Sequence, residues 1–204
     1  MAAKSMTAVL EPTAHNASIA MPFSVLCRIR GTSDLLFHRW SNEEVAGKAA
    51  AVKGGIAKKT DNVESYVYRN GNGEICIPGE YVRQAIIAAA KYRQDPRSPR
   101  KSAMDLVKAG LACLTPLASL GVKEWDYLDR RRVMIQRNGV TRTRPTMLAG
   151  WTCEVVFTIL LPEYLDEDFV HDLFVQAGRL IGIADFRPTF GRFSVIHFER
   201  LIEN

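Results

Sequence analysis

The chain has few of the residue groupings that mark a metal site or a disulfide framework. Its four cysteines, at positions 27, 76, 113 and 153, are far apart, form no Cys-x-x-Cys pair and each lie in an apolar context. The four histidines are also scattered, with no pair at i, i+4 spacing. Because zinc sites and disulfide scaffolds need closer spacing, we predict buried free thiols in a reducing compartment, and neither a metal nor a cofactor.

Long apolar segments are also lacking. Residues 1–22 have no apolar core of the signal-peptide type, and no later run approaches the roughly 20 residues of a membrane span. Walker loops, dinucleotide-binding glycine motifs and Gly-x-Ser-x-Gly elbows do not occur, which argues against nucleotide hydrolysis and dinucleotide binding. We therefore expect a protein without a membrane partner, in the cytoplasm of a prokaryote or of a virus-infected cell.

What the chain does have is locally concentrated charge. Its 204 residues, 47% of them hydrophobic, are enough for one sizeable core, and 27 basic against 22 acidic residues give a net charge of only +5. Residues 130–147 nevertheless contain six arginines and no carboxylate, whereas residues 163–172 contain five acids and no lysine or arginine. The first segment is a candidate binding surface for an anionic partner.

A turn signal lies inside the arginine-rich segment. Asn138-Gly139 favours a two-residue hairpin turn, because both turn positions need positive φ. Such a turn predicts three cross-strand pairs on one face: Arg137 with Val140, Ile135 with Arg142, and Val133 with Arg144. Clustered guanidinium groups repel each other unless an anion lies across them, so we predict phosphate contacts for Arg130, Arg132, Arg137, Arg142 and Arg144. A solvated hairpin without a ligand is the alternative, and Arg131 is expected nearer the base, within reach of Asp129 or Asp126.

The order of elements predicts the fold class. Alternation from Phe23 indicates a strand, and capping signals place helices after Ser41, Pro78, Ser102 and Asp166, the last ending at Gly182. A second Asn-Gly hairpin precedes Pro78, and residues 95–101 look like a basic, proline-broken linker. The order is strand, helix, hairpin, helices, hairpin, strand, helix, strand.

That order predicts an α+β protein, an antiparallel sheet with helices on one face. We expect a ferredoxin-like (RRM-like) core, with an inserted helical region at about 78–128 and a protruding arginine-rich hairpin. Residues 1–20 are small and polar without periodicity, which predicts a flexible N-terminal arm ahead of a single domain at 21–204.

The segment GRLIGIADFRPTFGRFSVIHFE, residues 178–199, resembles the helix, glycine-containing loop and closing strand of the RAMP superfamily. These are ferredoxin-like RNA-binding proteins that include the backbone and processing subunits of CRISPR effector complexes. Gly182, Arg187, Gly191 and Arg192 occupy places comparable to the family's glycine-arginine loop, while Pro188 stands where the family often has glycine. The resemblance implies RNA binding by a backbone-type subunit whose protruding hairpin pins the bound strand.

The chemistry of this loop points the same way without the family. Glycine-flanked turns bring backbone N–H groups close to anions, and arginines add charge-assisted bonds to phosphate oxygens. Aromatic side chains among arginines are typical of single-strand binding, because stacking tolerates any base. Phe193 is expected in the core. The remaining predicted nucleic-acid contacts are Phe186, Phe190, Arg187, Arg192, His38, Arg39, Lys58 and Lys59.

Three functions are consistent with these features. The first is a non-catalytic protein that binds single-stranded RNA or DNA and oligomerises along the strand, or forms part of a larger nucleoprotein complex. The second is a viral or scaffold assembly protein whose basic hairpin meets acidic surfaces of its neighbours. The third is a metal-independent endoribonuclease, with His38 as general acid or base, although the sequence shows no partner group for it. Asp34 in the same loop is a further, weaker catalytic candidate. We expect the first function and no catalytic residue.

Overall fold

The structure is a computed structural model that describes residues 20–39, 46, 50, 62–135 and 138–202. The predicted helix after Ser41, the lysines Lys58 and Lys59, Arg137 and nearly all of the predicted N-terminal arm lie outside these residues. Along the described segments, none of the helices combines the length and apolar character that a bilayer crossing requires.

The described strands and helices follow one another in a mixed order. The strands are β1 (Phe23–Gly31), β2 (Leu35–Leu36), β3 (Tyr68–Arg69), β4 (Ile75–Pro78), β5 (Gln94–Asp95), β6 (Ser98–Ser102), β7 (Leu111–Cys113), β8 (Leu117–Ser119), β9 (Tyr127–Ile135), β10 (Asn138–Met147), β11 (Thr152–Ile159) and β12 (Phe193–Leu201). The α-helices are α1 (Gly79–Ala89), α2 (Met104–Gly110) and α3 (Glu167–Gln176), and 3₁₀ turns occupy Val63–Tyr66 and Ala90–Tyr92.

The central sheet has the strand order β12-β1-β11-β7 and is antiparallel throughout. Alternation along β1 is as predicted: Phe23, Val25, Cys27 and Ile29 are buried, whereas Arg28 and Arg30 are exposed on the other face. Cys153, the diagonal neighbour of Cys27 across β1 and β11, is likewise a buried free thiol. Burial is the main cause of the raised pKa of Cys153, about 12. Cys27 and Cys153 therefore belong to the core, whereas Cys76 is buried outside the main cluster and Cys113 is only partly buried.

Helices α1 and α3 cover the buried face of this sheet. Val82, Ile86 and Phe174 belong to the same buried cluster as the inward residues of β1 and β11, and the rings of Phe157 and Phe174 meet edge-on at 5.4 Å. The predicted cap of α3 is confirmed, because the Asp166 carboxylate accepts a hydrogen bond from the N–H of Phe169 at 2.8 Å. A π-helical turn, Ala177–Ile181, extends α3 to Gly182.

Read in chain order, the central elements are β1, α1, β7, β11, α3 and β12, the βαββαβ arrangement of a ferredoxin-like fold. The predicted fold class is confirmed. The predicted insertion at 78–128 needs correction, because α1 and β7 inside it belong to the core. The segments outside the central frame lie at 32–78, 90–110 and 114–151. The reason is that α1 supplies the apolar face that covers the sheet.

Smaller sheets surround the core. Their orders are β2-β10-β9, β3-β4-β8 and β5-β6. The last of these corrects the predicted linker at 95–101: Asp95 is buried and bonds the backbone and side chain of Arg97, which closes a short hairpin. The predicted capping box of α2 does not form either, since its N-cap is Ala103 without a side-chain hydrogen bond. The β3-β4 hairpin forms as predicted, with the side chain of Asn70 accepting from Asn72 and Glu74.

Candidate nucleic-acid interface

The glycine loop, residues 182–192, connects α3 to β12 and turns sharply at both ends. Gly182 and Gly191 have φ angles of 73° and 71°, and a Cβ at Gly191 would lie 1.9 Å from the carbonyl oxygen of Ile183. The N–H of Gly191 donates to the carbonyl of Asp34 at 2.8 Å, and the N–H of Asp185 donates to the carbonyl of Leu36 at 3.2 Å. These contacts fix the loop beside β2.

The arginine hairpin, formed by β9 and β10, has a different register from the predicted one. Asn138 pairs with Ile135 and Arg142 pairs with Arg131, so Asn138 and Gly139 belong to β10. The residues that join the strands, 136 and 137, are outside the described part. Arg142 pairs with residue 131 instead of the predicted residue 135, so the observed register differs from the predicted one by four residues along β9, an even number. The division of side chains between the two ribbon faces therefore stays as predicted.

The inner face of the hairpin, which carries Asp129, Arg131, Arg142 and Arg144, contacts the glycine loop. The guanidinium of Arg131 lies 5.0 Å from the ring centre of Phe186 and 4.6 Å from that of Phe190. As the sequence predicts, Arg131 also pairs with Asp129. We call this group of four side chains, Asp129, Arg131, Phe186 and Phe190, the clasp. In it, the two phenylalanines expected to stack on bases stack on an arginine of the same chain.

A second contact between hairpin and loop is buried. Arg144, only 4% exposed, places Nε 2.5 Å from Oδ2 of Asp185, close enough for an ion pair although the N–H does not point along a hydrogen bond. His38 Nδ1 lies 3.5 Å from the same oxygen. Arg144 is therefore not on a solvated face, and its predicted phosphate contact needs correction. Tertiary packing places a carboxylate where the sequence indicated a phosphate.

The same contacts control the charge of Asp185. Burial alone would raise the pKa of this carboxyl group, but it is outweighed by the nearby His38 side chain, the charge of Arg144 and the hydrogen bond from the N–H of Phe186. The net effect lowers the pKa of Asp185 below its ordinary value. The carboxylate is therefore ionised at neutral pH and accepts hydrogen bonds only.

The outer face of the hairpin is open. It carries Arg130 and Arg132 on β9, both exposed, opposite Thr143 and Thr141 on β10, and it continues to Met134, which is 68% exposed. Among the described residues of β9 and β10, none on this face between Leu128 and Met134 carries a carboxylate. The structure thus places two of the predicted arginines on an exposed basic face, turned away from the glycine loop.

Asp34 has a structural role in this part of the molecule. One carboxylate oxygen accepts from the hydroxyl of Tyr127 at 2.8 Å and the other accepts from the N–H of Ala149 at 2.9 Å. Burial and the hydrogen bond to Asp34 raise the pKa of Tyr127 to about 12. The carboxylate thus connects the loop after β1 with the base of the hairpin, and its two oxygens are occupied.

A cleft lies on the other side of the glycine loop. Its volume is about 310 Å³, and its lining residues are His38, Tyr81, Gln84, Ala184, Asp185 and Arg187. Arg187 is exposed at the cleft, and Arg192, also exposed, donates through Nε to the carbonyl of Pro188 at 2.7 Å. Arg39 lies over the ring of Tyr68 at 5.0 Å. The predicted loop residues His38 and Arg187 therefore share one site, separate from the outer face of the hairpin.

Sequence reasoning missed Asp185, Tyr127, Tyr81 and Gln84 as members of this region. One feature of the sequence could have indicated Asp185. It is an acidic residue in a loop that has little other negative charge and that lies between two arginine-bearing segments. Tyr81 and Gln84 had none, because helix α1 was interpreted only through its apolar face. Their position beside the glycine loop is a consequence of how α1 packs against the π-helical turn after α3.

Comparison with known proteins agrees with the fold. No protein-family model matches the chain, and no curated protein matches it. A chain of the Type III-B Cmr-beta complex, solved by cryo-electron microscopy bound to cognate target RNA, matches with a TM-score of 0.52 at 9% sequence identity. The match covers 89% of this chain and 61% of that one, so this chain spans less than two thirds of that subunit's length. At such identity the likeness shows the fold alone, a ferredoxin-like α+β fold.

Proposed function

We propose that this protein binds single-stranded nucleic acid as a non-catalytic subunit of a nucleoprotein complex. The observation that carries the proposal is the outer face of the arginine hairpin, where Arg130 and Arg132 are exposed, lie among threonine hydroxyls and have no carboxylate between them. Exposed like charges in a row are favourable when phosphates lie across them. The fold shared with a subunit of an RNA-bound complex supports the same function.

In this proposal the hairpin contacts the phosphate backbone of the bound nucleic acid rather than the edges of its bases. Guanidinium and hydroxyl groups bind phosphate oxygens of any sequence, and such contacts position a nucleic acid without reading its bases. The clasp and the Arg144–Asp185 pair hold the ribbon at a defined angle to the core, so its charges are presented in a fixed geometry. A rigid basic ribbon loses little entropy when it binds a strand.

The proposal is tested by removing the outer-face charges. The double variant Arg130→Ala/Arg132→Ala should melt like the wild type, because exposed charges change stability by less than about 0.5 kcal/mol each. Its oligonucleotide affinity should fall, and the slope of log affinity against log salt should flatten by about 1.4, roughly 0.7 for each lost phosphate contact on a single strand.

The matched control is Arg100→Ala/Lys101→Ala, which removes the same charge from exposed positions on β6. This control should bind oligonucleotides nearly as the wild type does. If both double variants lost oligonucleotide affinity equally, the loss would be an effect of net charge alone. If the outer-face variant kept the wild-type affinity, the proposal would be contradicted.

One observation favours the endoribonuclease as the second candidate. His38 lies 3.5 Å from the Asp185 carboxylate, a partner that the sequence did not reveal, and a histidine oriented by a carboxylate is suited to general acid–base work. RNA incubated with purified protein in EDTA should stay intact under our proposal. Cleavage that disappears in His38→Ala would replace it with the nuclease.

A further inference from the structure

The cleft beside the glycine loop has the shape and chemistry of a nucleobase site. Its volume of about 310 Å³ is at the small end of ligand sites, which typically measure roughly 300–1,000 Å³, so it has room for one small ring system. The rings of His38 and Tyr81 line it, and the His38 ring is held by an edge contact to Tyr66 at 4.8 Å. Base-sized aromatic ligands stack favourably on such rings.

Two side chains of the cleft, Gln84 and Asp185, offer acceptor oxygens beside the donors of His38, Tyr81 and Arg187. Nε2 of Gln84 donates to Glu80 one turn earlier at 2.6 Å, which orients the amide with its oxygen turned away from Glu80. Asp185 contributes an ionised carboxylate, since its pKa is lowered. Acceptors select ligand edges that donate. Cytosine, adenine and guanine present an exocyclic amine, whereas thymine, like uracil, presents carbonyl oxygens at the corresponding positions.

The cation of the cleft is Arg187, which is exposed and follows the strained part of the glycine loop. Ala184 and Phe186, two non-glycine residues, have φ angles of 61° and 57° there. Such conformations are strained for residues other than glycine and persist when the surroundings hold them, often at ligand sites. Their effect here is to turn Asp185 toward His38 and Arg144 and to leave Arg187 at the cleft.

We propose that this cleft binds one unstacked base of a single strand and prefers bases with an exocyclic amine to uracil or thymine. Arg187 contacts the phosphate of that nucleotide, and Gln84 accepts from the amine. The inference rests on the proposed strand binding. It adds a base preference that the arginine hairpin, which contacts only phosphates, does not supply.

Cytidine and uridine monophosphate are matched probes for the cleft. They share the ring size and the phosphate and differ at position 4, an amine in one and a carbonyl in the other. The full chain should bind cytidine monophosphate about three- to tenfold more tightly than uridine monophosphate. The reason is that the cytosine amine donates a hydrogen bond to the Gln84 oxygen, whereas the uracil carbonyl would face that oxygen as a second acceptor. Isothermal titration of both nucleotides measures this ratio.

Three variants test the assignment of roles. Gln84→Met, at an exposed position on α1, should fold normally and reduce the ratio to about one. Gln94→Met, an exposed glutamine on β5, should keep the wild-type ratio. Arg187→Ala should weaken the binding of both nucleotides equally and leave the ratio of their affinities unchanged. A wild-type ratio of one, a ratio unchanged by Gln84→Met, or no binding of either nucleotide would overturn the proposal.

Failure of the proposed function is distinguishable from failure of this site. Gln84→Met should keep the salt slope of oligonucleotide binding, because it removes no phosphate contact. If oligonucleotides do not bind while the nucleotide ratio is found, strand binding is wrong and the cleft remains a mononucleotide site. If oligonucleotides bind with the expected salt slope while the ratio is one, only the cleft assignment is wrong.

Discussion

At the scale of single residues, Asp185 joins the arginine hairpin to the cleft. It contacts Arg144 from the hairpin and His38 from the segment after β2, and its own N–H pairs with Leu36. A buried carboxylate between two cationic or donor groups is stabilising only while it is ionised. Asp185 therefore connects the hairpin and the cleft electrostatically.

The charge of Asp185 makes a pH-dependent contribution to stability. Its folded pKa is lowered below the unfolded value of about 3.9, so the stabilisation is fully present above about pH 5 and is lost as the pH falls through the folded pKa. Asp185→Asn should lower the urea midpoint at pH 7 and differ much less from the wild type at pH 3. An equal difference at both pH values would contradict the assignment.

Arg144 is expected to be structural rather than a phosphate contact. Arg144→Ala leaves the carboxylate of Asp185 without its buried partner and should cost about 1–3 kcal/mol in the free energy of unfolding. Arg130→Ala, at an exposed position of the same hairpin, should stay within about 0.5 kcal/mol of the wild type. Denaturant unfolding of the two variants checks this. Two equally small effects would place Arg144 among the surface arginines.

At the scale of elements, the arginine hairpin depends on its docking to the glycine loop. An isolated two-stranded ribbon is marginally stable in water, so β9 and β10 need an anchor. Arg131 supplies it by stacking on Phe186 and Phe190, and the pairing of β10 with β2 adds a second attachment. The clasp thus makes the hairpin part of the domain and leaves its outer face for a ligand.

Loosening the clasp should mobilise the hairpin without removing an outer-face charge. In Arg131→Ala, amide hydrogens of residues 127–135 and 138–147 should exchange faster, and oligonucleotide affinity should fall because Arg130 and Arg132 lose their fixed geometry. Arg132→Ala is the complementary control, with weaker binding and unchanged exchange. Unchanged exchange in Arg131→Ala would show that β2 and the Arg144–Asp185 pair anchor the hairpin without the clasp. Hydrogen exchange read by mass spectrometry separates the two effects.

At the scale of the whole molecule, opposite charges lie on different elements. The basic outer face is on β9, whereas Glu167 and Asp168 stand exposed in the first turn of α3. A patch that matches a different patch on a second copy creates a head-to-tail contact, which repeats along a strand. Because the outer face is already assigned to phosphates, the acidic first turn of α3 would meet a different basic surface of the next copy, and we predict assembly along nucleic acid rather than a closed dimer.

The assembly prediction concerns mass as a function of strand length. Light scattering with oligonucleotides of increasing length should show the bound mass rising in steps of one 22.8 kDa chain. Glu167→Lys should reduce the cooperativity of this growth and leave the affinity for the shortest oligonucleotide unchanged, because it removes a neighbour contact only. A single copy on every length would contradict the prediction.

Much of the fold was determined by the sequence itself. The alternation of β1, the apolar face of α1, the Asp166 cap and the glycine at 182 are local patterns, and each specifies its element through side-chain burial or backbone geometry near in the chain. The order of these elements was sufficient for the ferredoxin-like class. The loop residues of the candidate site, including His38, Arg187 and Arg192, could also be named from residue type and spacing.

Only the tertiary structure decided what these residues face. Asn138-Gly139 does not form the turn, because Asn138 pairs with Ile135, and the docked hairpin places Arg131 on two phenylalanines and Arg144 beside Asp185. Phe186 and Phe190 stack on an arginine that lies 55 and 59 positions earlier in the chain, and Gln84 meets the glycine loop from a distant helix. The physical reason is common to all of them. A charge or a ring takes its role from the partner that lies across from it, and long-range packing supplies that partner.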